Sequence, residues 1–530
     1  MSIIIATIIT IIYGALYYYL ALPACNPRSI SFWIFLVSML FVFAVVHIIS
    51  QDIRKKDSTK VTKVSFIAAF AALGVFLLLL LGSTPLFHAN TYANRIKVTE
   101  GSFDEDIPTV QDLKKIPLMD TASASILGNR VVGSLTDLVS QYNVSETYTT
   151  ICYQGSVMKT SPLVYEGFFK YMNNRKEGIP GYVLVNTEMN EAQFIRLNDG
   201  ILYSPSAYFS KDLNRKLRFS YPTKLIQDYC FQIDDSGNPY WVVTCIERKT
   251  FFGASTPSEV ILLNAVTGES ELYDIADTPE WIDYVYNGYT ICDLYNDYGT
   301  LQKGFFNSFI GQKNCTQTTS DFGYVIKDDD VYVYTGVTST VSDESNLGFI
   351  MVNSRTGEFT YYTVPGAEEY SAMSATEGAV QNYGYHASFP ALVNVGGEPT
   401  YALVLKDDSG LVKLYAMVNV KNYTIVSTAS TMATALKQYK QALNSAGTGL
   451  NIDLDENAVT TTITISDIQF LLYNDETVCY IKDTNNVVYK QNFSENESLI
   501  LLKVGDKVSL SYEPNEDDSK IYQILDITIQ

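Results

Sequence analysis

Few residues of this 530-residue chain have the type and spacing that chemistry requires. The three histidines and seven cysteines are scattered, without the short paired spacings that bind zinc. The sequence contains no GxSxG, HExxH, P-loop or dinucleotide-binding motif. Carboxylate pairs such as Glu368-Glu369 could supply the acid and base of a glycoside hydrolase, but so acidic a chain has many such pairs. The sequence therefore predicts no catalytic residue, no cofactor-binding residue and no metal ligand.

Acidic runs are the candidates for a cation site. Asp453–Asn457 has the alternating acidic spacing of a calcium loop, but Ala458 and Thr464 replace the glycine and the bidentate glutamate that such a loop needs. Asp328–Asp330 and Asp234-Asp235 are interpreted as solvated hairpin tips, with weak calcium binding as the alternative.

A nine-residue phrase recurs along the middle of the chain, in which an apolar run ends at Asn and Glu follows five positions later. The copies are Val183–Glu191, Ile261–Glu269, Ile350–Glu358 and the degenerate Ala416–Thr424. The pattern is typical of a hairpin: a strand ends at Asn, Gly268 or Gly357 takes positive φ, and a second strand returns. Asn and Glu could be ligands, but a tight turn needs the same residue types, so we interpret them as turn formers.

Each copy belongs to a longer unit of about four antiparallel strands. A second hairpin precedes two of the copies, at Phe231–Val243 and Leu392–Val404. Helices are predicted between units by capping residues and by apolar spacing, at Thr278-Pro279-Glu280, over Ile126–Tyr142, and where Met432, Leu436, Tyr439 and Leu443 recur. Residues 88–147 are thus expected to be a linker with a helical entry segment. Residues 148–449 are expected to form tandem antiparallel β-meander units with intervening helices, as α+β modules rather than a propeller.

The carboxyl-terminal residues 450–530 begin with a linker and continue as five strand-like runs. The runs are Val459–Tyr473, Thr477–Asp483, Val487–Gln491, Lys507–Tyr512 and Lys520–Ile529, with a short helical segment at Glu495–Ile500. This order predicts a small OB-like barrel. Because acidic residues dominate it and a basic groove is missing, we expect a structural or protein-binding barrel and no nucleic-acid partner.

Three apolar segments of membrane-spanning length lie within residues 1–87, at 3–22, 31–49 and 64–81. A secretory signal peptide fits less well, because a basic amino-terminal region is missing and two further apolar segments follow. We therefore predict three transmembrane helices in the lipid bilayer. The remaining chain is rich in Tyr, Thr and Val, which favours strands.

Lys and Arg predict the orientation of these helices. Five basic residues lie within residues 54–63, whereas Arg28 is the only one between the first two segments. Positive loops stay in the cytoplasm, so the amino terminus is expected to be cytoplasmic and residues 88–530 extracytoplasmic. The aromatic residues Tyr17–Tyr19, Phe32 and Trp33 then lie at the outer interface, as is common.

The net charge limits which partners the chain can bind, and the cysteine positions limit its possible disulfides and lipidation. The formal net charge is −20, and residues 1–90 carry six basic and two acidic residues (+4), so the remainder carries −24. A surface of that charge repels nucleic acid and anionic lipid headgroups. Cys230 and Cys245 flank an apparent hairpin and are the one pair whose disulfide is worth testing. Cys25 follows a small residue, as lipidated cysteines do, but an ordinary short loop fits its surroundings better.

Several phrases of the body resemble an uncharacterised family of membrane-anchored proteins of Gram-positive bacteria. They lie at Asn174–Pro180, Asp343–Asn346, Gly366–Met373, Tyr385–Pro390 and Gly410–Val420, and the resemblance covers about residues 60–440. It implies a multi-span amino end and an extracytoplasmic body, with no activity to carry over. The Asn-x-x-Thr-Gly-Glu hairpin also resembles the extracytoplasmic PepSY module.

The sequence thus predicts a non-enzymatic, membrane-anchored protein of the cell envelope, with a surface for a protein or cell-wall partner. The alternatives are a PepSY-like regulator or sensor of an extracytoplasmic enzyme such as a protease, and a cell-wall hydrolase that uses unrecognised carboxylates.

Overall fold

A computed structural model of the protein describes residues 2–53, 60–110, 116, 118–187, 190–319, 321–340, 345–446, 459–473, 476–493, 496–513 and 521–529. The three apolar segments form α1 (Ser2–Ala21), α2 (Ile30–Asp52) and α3 (Lys60–Gly82). Each helix is long and apolar enough to cross a membrane. The predicted three helices are therefore confirmed.

Small and polar residues hold these helices together. Ala6, Thr10 and Gly14 recur every four positions and are the buried residues of α1. A Cβ atom on Gly14 would clash with a side chain of α2, so the glycine permits close approach. His47 Nδ1 of α2 lies 2.8 Å from Thr62 Oγ1 of α3, which joins the second helix to the third at their other end.

After α3, the chain forms α4 (Pro85–Ala93), β1 (Val98–Gly101) and α5 (Phe103–Asp106). Four units of helix and sheet follow. The first contains α6 (Thr121–Gly133), β2 (Tyr142–Val144), β3 (Thr149–Tyr153), β4 (Ser156–Tyr165), α7 (Phe168–Asn174), β5 (Ile179–Asn186) and β6 (Glu191–Ile201). The second contains α8 (Leu213–Ser220), β7 (Ile226–Ile233), β8 (Pro239–Arg248), β9 (Ser255–Asn264) and β10 (Ser270–Asp274).

The third unit contains α9 (Gly288–Leu301), β11 (Thr316–Thr318), β12 (Gly323–Lys327), β13 (Asp330–Ser339), β14 (Ser345–Asn346), β15 (Gly348–Asn353), β16 (Phe359–Tyr362) and β17 (Gly366–Ala367). The fourth contains α10 (Glu369–Ala379), β18 (His386–Ala387), β19 (Ala391–Val395), β20 (Glu398–Lys406), β21 (Val412–Asn419) and β22 (Val426–Ala429), followed by α11 (Met432–Ser445).

Each unit builds one main sheet, mostly from neighbouring antiparallel strands, and in the third unit β14 and β17 pair as a separate two-stranded sheet. The strand orders are β2-β4-β5-β6 with β3 on β4, β10-β9-β8-β7, β1-β16-β15-β13-β11 with β12 on β13, and β18-β20-β21-β22 with β19 on β20. We call them sheets one to four. β1 pairs in parallel with β16, so the segment after the membrane helices completes sheet three. Several antiparallel sheets separated by helices agree with the sequence prediction.

The sheets share their cores. In sheet two, Trp241 packs in the core with sheet one, while its neighbour Val242 packs in the core with sheet three. In sheet three, Ile350 faces sheet two and Phe349 faces sheet four. Successive residues of a strand point to opposite faces, so a strand buried on both faces is a continuous apolar run. The units are therefore layers of one body.

The helix predicted at Thr278-Pro279-Glu280 is wrong. The backbone N–H groups of Val285 and Tyr286 both donate to Ser354 O in the next unit, at 3.0 and 2.8 Å. These tertiary hydrogen bonds take the place of helical ones. The helix begins later, at Gly288, where Asn287 Oδ1 accepts the N–H of Thr290 (2.7 Å).

Asp283, within this irregular segment, links three sheets. Its Oδ2 accepts the N–H of Cys152 from sheet one at 2.7 Å, and its carboxylate also accepts the N–H of Val331 from sheet three. Its own N–H donates to Gln232 Oε1 of sheet two (3.0 Å). Burial raises the pKa of this carboxyl well above its ordinary value. Asp283 is therefore a structural junction.

The other predicted helices fare better. The helix over Ile126–Tyr142 is displaced: α6 starts earlier, because Asp120 caps it by accepting the N–H of Ser123 (2.8 Å), and it ends at Gly133. Tyr142 already belongs to β2. The helix around Met432 and Leu443 is confirmed as α11.

Cys230 and Cys245 are not disulfide-bonded, and all seven cysteines are free. Cys230 pairs across the hairpin with Val242, three positions before Cys245. An odd separation puts side chains on opposite faces of a strand, and accordingly Cys230 lies in the core with sheet three and Cys245 in the core with sheet one.

On a larger scale than the four units, the chain divides into two compact regions, Met1–Ala442 and Leu443–Gln530. In the second, five strands pair in the order β23-β24-β25-β27-β26, and β26 returns to pair with β23, which closes the ring. They are β23 (Val459–Tyr473), β24 (Glu476–Asp483), β25 (Val488–Asn492), β26 (Lys507–Glu513) and β27 (Ile521–Ile529), with a 3-10 turn at Glu497–Leu501. The interior is filled by the barrel's own side chains, among them Ile465, Cys479 and Val508.

Glu369, the first residue of α10, is fully buried between sheets three and four. Its Oε1 accepts the N–H of Gly336 at 2.7 Å, and burial raises its pKa to about 7 from an ordinary 4.5. Its Oε2 and the nearby Asn346 Oδ1 are both buried without a hydrogen-bond partner. A protonated carboxyl can donate a hydrogen bond, which an ionised carboxylate cannot do. The environment of Glu369 therefore favours the protonated, neutral form of its carboxyl group.

We predict that stability falls as pH rises through this pKa. The folded protein holds the Glu369 proton up to about pH 7, whereas the unfolded chain loses it near 4.5. The free energy of unfolding should decrease across that window by about 3 kcal/mol. Glu369→Gln carries a permanent N–H donor and should remove this decrease. Urea unfolding of the detergent-solubilised chain at pH 5 and pH 8 measures it, with the exposed Glu271→Gln as the charge-matched control. Equal pH dependence in wild type and Glu369→Gln would contradict the assignment.

Candidate membrane-proximal site

Two arginines of α8 cap the carboxyl end of α1. The helix ends at Ala21, and the next residue, Leu22, has a left-handed φ of 50°. Arg215 Nε donates to Tyr19 O (3.4 Å) and Arg218 Nε donates to Leu22 O (3.0 Å). The last carbonyls of a helix have no partner within it and carry partial negative charge, so cations bind there. α8 itself starts at Asp212, whose side chain accepts the N–H of Arg215 (2.8 Å).

Arg218 is the most heavily bonded of these groups. Its Nη1 donates to the carbonyls of Tyr221, Pro222 and Lys224, at 3.4, 3.3 and 2.9 Å. With Leu22 O, these acceptors are all backbone carbonyl oxygens, and burial lowers the pKa of the guanidinium. The planar fork of donors can serve several acceptors at once, which a lysine cannot do. One side chain thus joins α1 to the segment that enters sheet two.

The loop between α1 and α2 is bound to the same segment. Cys25 N–H donates to Pro222 O (2.7 Å), and Asn26 Nδ2 donates to Thr223 O (2.9 Å). Arg28 and Arg248 each donate to the other's backbone carbonyl. This loop is therefore part of the body's surface.

A second attachment is made at the end of α3. Ser83 Oγ accepts the N–H of Phe252, in the loop between β8 and β9, at 3.0 Å. The Phe252 ring lies edge-on to Trp33 of α2 and Phe76 of α3, with centroids 6.4 and 5.5 Å apart. The body thus contacts the end of α1, the start of α2 and the end of α3, which all lie on one side of the helices. The Lys- and Arg-rich residues 54–63 connect the opposite ends.

An aromatic cluster extends from this junction, and we call it the collar: Phe168, Phe169, Tyr208, Phe209 and Phe219. The Phe168 ring lies 5.7 Å from Phe169, 5.1 Å from Tyr208 and 6.2 Å from Phe209. Phe219 lies edge-on to Tyr18 of α1, 5.6 Å away. All five side chains are exposed.

A cleft of ≈ 690 Å³ opens beside Leu22 and Arg218. Its lining includes Asp228, Cys230 and Tyr284. Burial raises the pKa of the Cys230 thiol and of the Tyr284 hydroxyl, so neither is a nucleophile at neutral pH. Asp228 accepts a hydrogen bond from an asparagine side chain. The geometry suits polar binding better than covalent chemistry.

In the second and third copies of the repeat the Asn residue is a turn former, as expected, whereas residues 188–189 in the turn of the first copy lie outside the described residues. Asn264 Oδ1 accepts the N–H groups two and three positions later, at 3.0 and 2.9 Å, and Asn353 Oδ1 does the same at 2.9 and 3.0 Å. Gly268 and Gly357 have φ of 77° and 74°, and a Cβ on either would meet a tyrosine ring. Their conformation and their crowding both require glycine.

The acidic runs occupy turns. Asp328 and Asp329 have positive φ between β12 and β13, and Asp330 forms an ion pair with Arg355 at 2.7 Å. Asp234 Oδ1 accepts backbone N–H groups within its own hairpin. Asp453–Asn457 lies outside the described residues. Over the described ranges, no group of three His, Cys, Asp or Glu side chains could hold a metal ion.

One buried cation escaped the sequence reasoning. Lys159 of β4 is buried, its Nζ donates to Thr150 Oγ1 (2.9 Å), and burial lowers its pKa to about 8. It lies in a strand that is otherwise mostly apolar, and this is the one signal that could have singled it out. Its hydroxyl partner marks it as structural.

Compared with known proteins, the chain matches no family model and no curated protein.

We predict that Arg218→Ala loosens the body from the helices. The change removes the Arg218 hydrogen bonds to four backbone carbonyl oxygens, which costs on the order of 3 kcal/mol. Trypsin should then cleave the full chain after Arg28 or Lys224 faster than in wild type, as followed by mass spectrometry in detergent. Arg196→Ala removes an exposed ion pair with Asp137 and is the matched control. An unchanged cleavage rate in Arg218→Ala would show that the attachment does not depend on this side chain.

Proposed function

We propose that the chain is a non-enzymatic, multi-pass protein of the cell membrane, whose residues 88–530 lie outside the cytoplasm and present a surface to a protein or cell-wall partner. One observation carries the proposal: the β body is fastened to the ends of the apolar helices that lie away from the basic loop at residues 54–63. Positive loops stay in the cytoplasm, so this arrangement favours an external body.

The carboxyl-terminal unit is proposed to be an OB-like barrel and the partner-binding part. Its strand order, the parallel β25–β27 pair and the 3-10 turn between β25 and β26 support that assignment. Its filled interior leaves only the outside for binding. Leu472 and Leu501 are 74% and 64% exposed there, and exposed apolar side chains of this size favour a protein partner.

The location is tested by adding protease to protoplasts. We expect residues 88–530 to be degraded, because the whole body lies outside, while the segment at residues 54–63 is protected. The same digestion of detergent-opened cells is the control, since every segment is then accessible. A protected body in intact protoplasts, with residues 54–63 cleaved, would reverse the proposed orientation.

The partner is tested by pull-down of the full tagged chain from detergent-solubilised membranes. We expect a partner that is retained by wild type and lost in a Leu472→Ser/Leu501→Ser variant, because the change removes apolar contact area. Leu411→Ser, in the exposed turn between β20 and β21, is the control. A protease as the stable partner would favour the alternative of a PepSY-like regulator. Turnover of purified peptidoglycan, abolished by one Asp or Glu substitution, would instead establish a hydrolase.

A further inference from the structure

The collar lies at the level of the last turn of α1. Phe219 contacts Tyr18, and the Arg215 guanidinium lies over the Tyr19 ring, 4.2 Å from its centroid. Tyr18 and Tyr19 end an apolar membrane helix, the position where aromatic residues mark the boundary between lipid and water. The aromatic residues at the end of α1 therefore continue into the collar, on the face of the body next to that helix.

The collar exposes more apolar area than a folded body normally leaves in water. Phe169, Phe209 and Phe219 are 79%, 49% and 55% exposed. Burying one such ring in an apolar medium contributes about 1.5–3 kcal/mol. Contiguous exposed patches of this kind mark interaction sites.

The backbone holds these rings outward. Phe209 has a φ of 57°, which is unfavourable for an aromatic residue, and Arg215 Nη1 donates to its carbonyl at 2.6 Å. Gly167, with φ of 89°, turns the chain into α7 immediately before Phe168. The collar is thus supported by the same arginine that caps α1.

The charge around the collar is opposite to that of the body. Residues 209–224 contain five basic residues and one acidic residue, a net +4, whereas residues 91–530 sum to −24. The net negative charge of residues 91–530 predicts that the body as a whole repels anionic lipid. Residues 209–224 are positively charged, so that prediction does not apply to them. Lys211 and Lys216 lie along the Tyr203 ring, with Nζ 4.1 and 5.6 Å from its centroid, and in the described chain neither forms an ion pair with a carboxylate.

A cleft of ≈ 370 Å³ separates the collar from α1 and is lined by Leu20, Tyr208, Phe209 and Arg215. Leu20 belongs to the membrane helix, so the cleft opens toward the lipid. The carboxylate of Asp212 also lines it, but accepts the Arg215 N–H.

We propose that the collar is a second membrane contact, seated in the leaflet on the body's side, and that its cleft and lysines take an anionic phospholipid. The rings enter the boundary between headgroups and acyl chains, as interfacial aromatic residues do, while Lys211, Lys216 and Arg215 meet the phosphate. The contact requires only the apolar helices to be in the bilayer, so it holds whichever way the protein is oriented.

Insertion is tested with the full chain in nanodiscs of phosphatidylcholine and phosphatidylglycerol. In Phe169→Trp, the added fluorescence should be quenched by lipids brominated near the headgroup, after subtraction of the wild-type signal from the native tryptophans. Tyr423→Trp, in the exposed turn of sheet four, is the control and should retain its added emission. If the two variants are equally unquenched, the collar faces water or a protein and the proposal is overturned.

Lipid selectivity is tested by the phospholipid that co-purifies with the chain in detergent, measured by mass spectrometry. We expect phosphatidylglycerol to be enriched over phosphatidylcholine, and Lys211→Gln/Lys216→Gln to lose that enrichment. Lys503→Gln/Lys507→Gln, two exposed lysines of the barrel, is the charge-matched control. Equal enrichment in both double variants would overturn the assignment of the headgroup to Lys211 and Lys216.

Discussion

The backbone carbonyl groups at the end of α1 need hydrogen-bond donors from outside the helix, and side chains of α8 supply them. The last carbonyls of α1 have no partner in their own helix. Arg215 and Arg218 supply the donors, and the left-handed Leu22, which costs roughly 1–2 kcal/mol for a side chain of this kind, lets the chain turn toward them. Because Arg218 also bonds the segment leading into β7, the orientation of sheet two follows from the end of α1.

The positions of the other sheets follow from how they pack against sheet two. Its two faces are buried against sheets one and three, and sheet three is buried against sheet four in turn. Ion pairing of Lys406 in sheet four with Asp120, the cap of α6, brings the last sheet back to the first unit. Most sheet faces of this body are buried against one another. The surfaces that remain for binding are the face that carries the collar, the turns and the carboxyl-terminal barrel.

Local patterns in the sequence predicted much of this. Apolar length predicted the three helices, and Asn with Gly predicted the repeated turns, because both signals depend on neighbours in the chain. Alternating runs predicted the strands of the barrel almost to the residue. The PepSY-like resemblance stays a proposal.

Signals that depend on distant partners were missed. The segment after Pro279 has helical capping residues, yet Ser354 bonds its backbone from another unit. Cys230 pairs with Val242, three positions before Cys245, so the two side chains lie on opposite faces, which only the pairing of the strands reveals. The collar was hidden because its phenylalanines come from two separate segments, and the basic stretch beside it was averaged into an acidic total. The spacing of Ala6, Thr10 and Gly14 was a usable signal for helix packing that the sequence reasoning did not exploit.

The parallel pairing of β1 with β16 has a consequence for biogenesis. Thr99 Oγ1 donates to Phe359 O, 260 residues later in the chain, so β1 leaves the ribosome well before the strand it pairs with. At synthesis rates of about 5–20 residues per second, that interval lasts on the order of tens of seconds. Sheet three can close only after β16 has been synthesised, and until then the backbone of β1 lacks its partner strand. For the same reason, a soluble fragment that begins after Gly101 would present β16 as a bare edge, open to pairing with other chains.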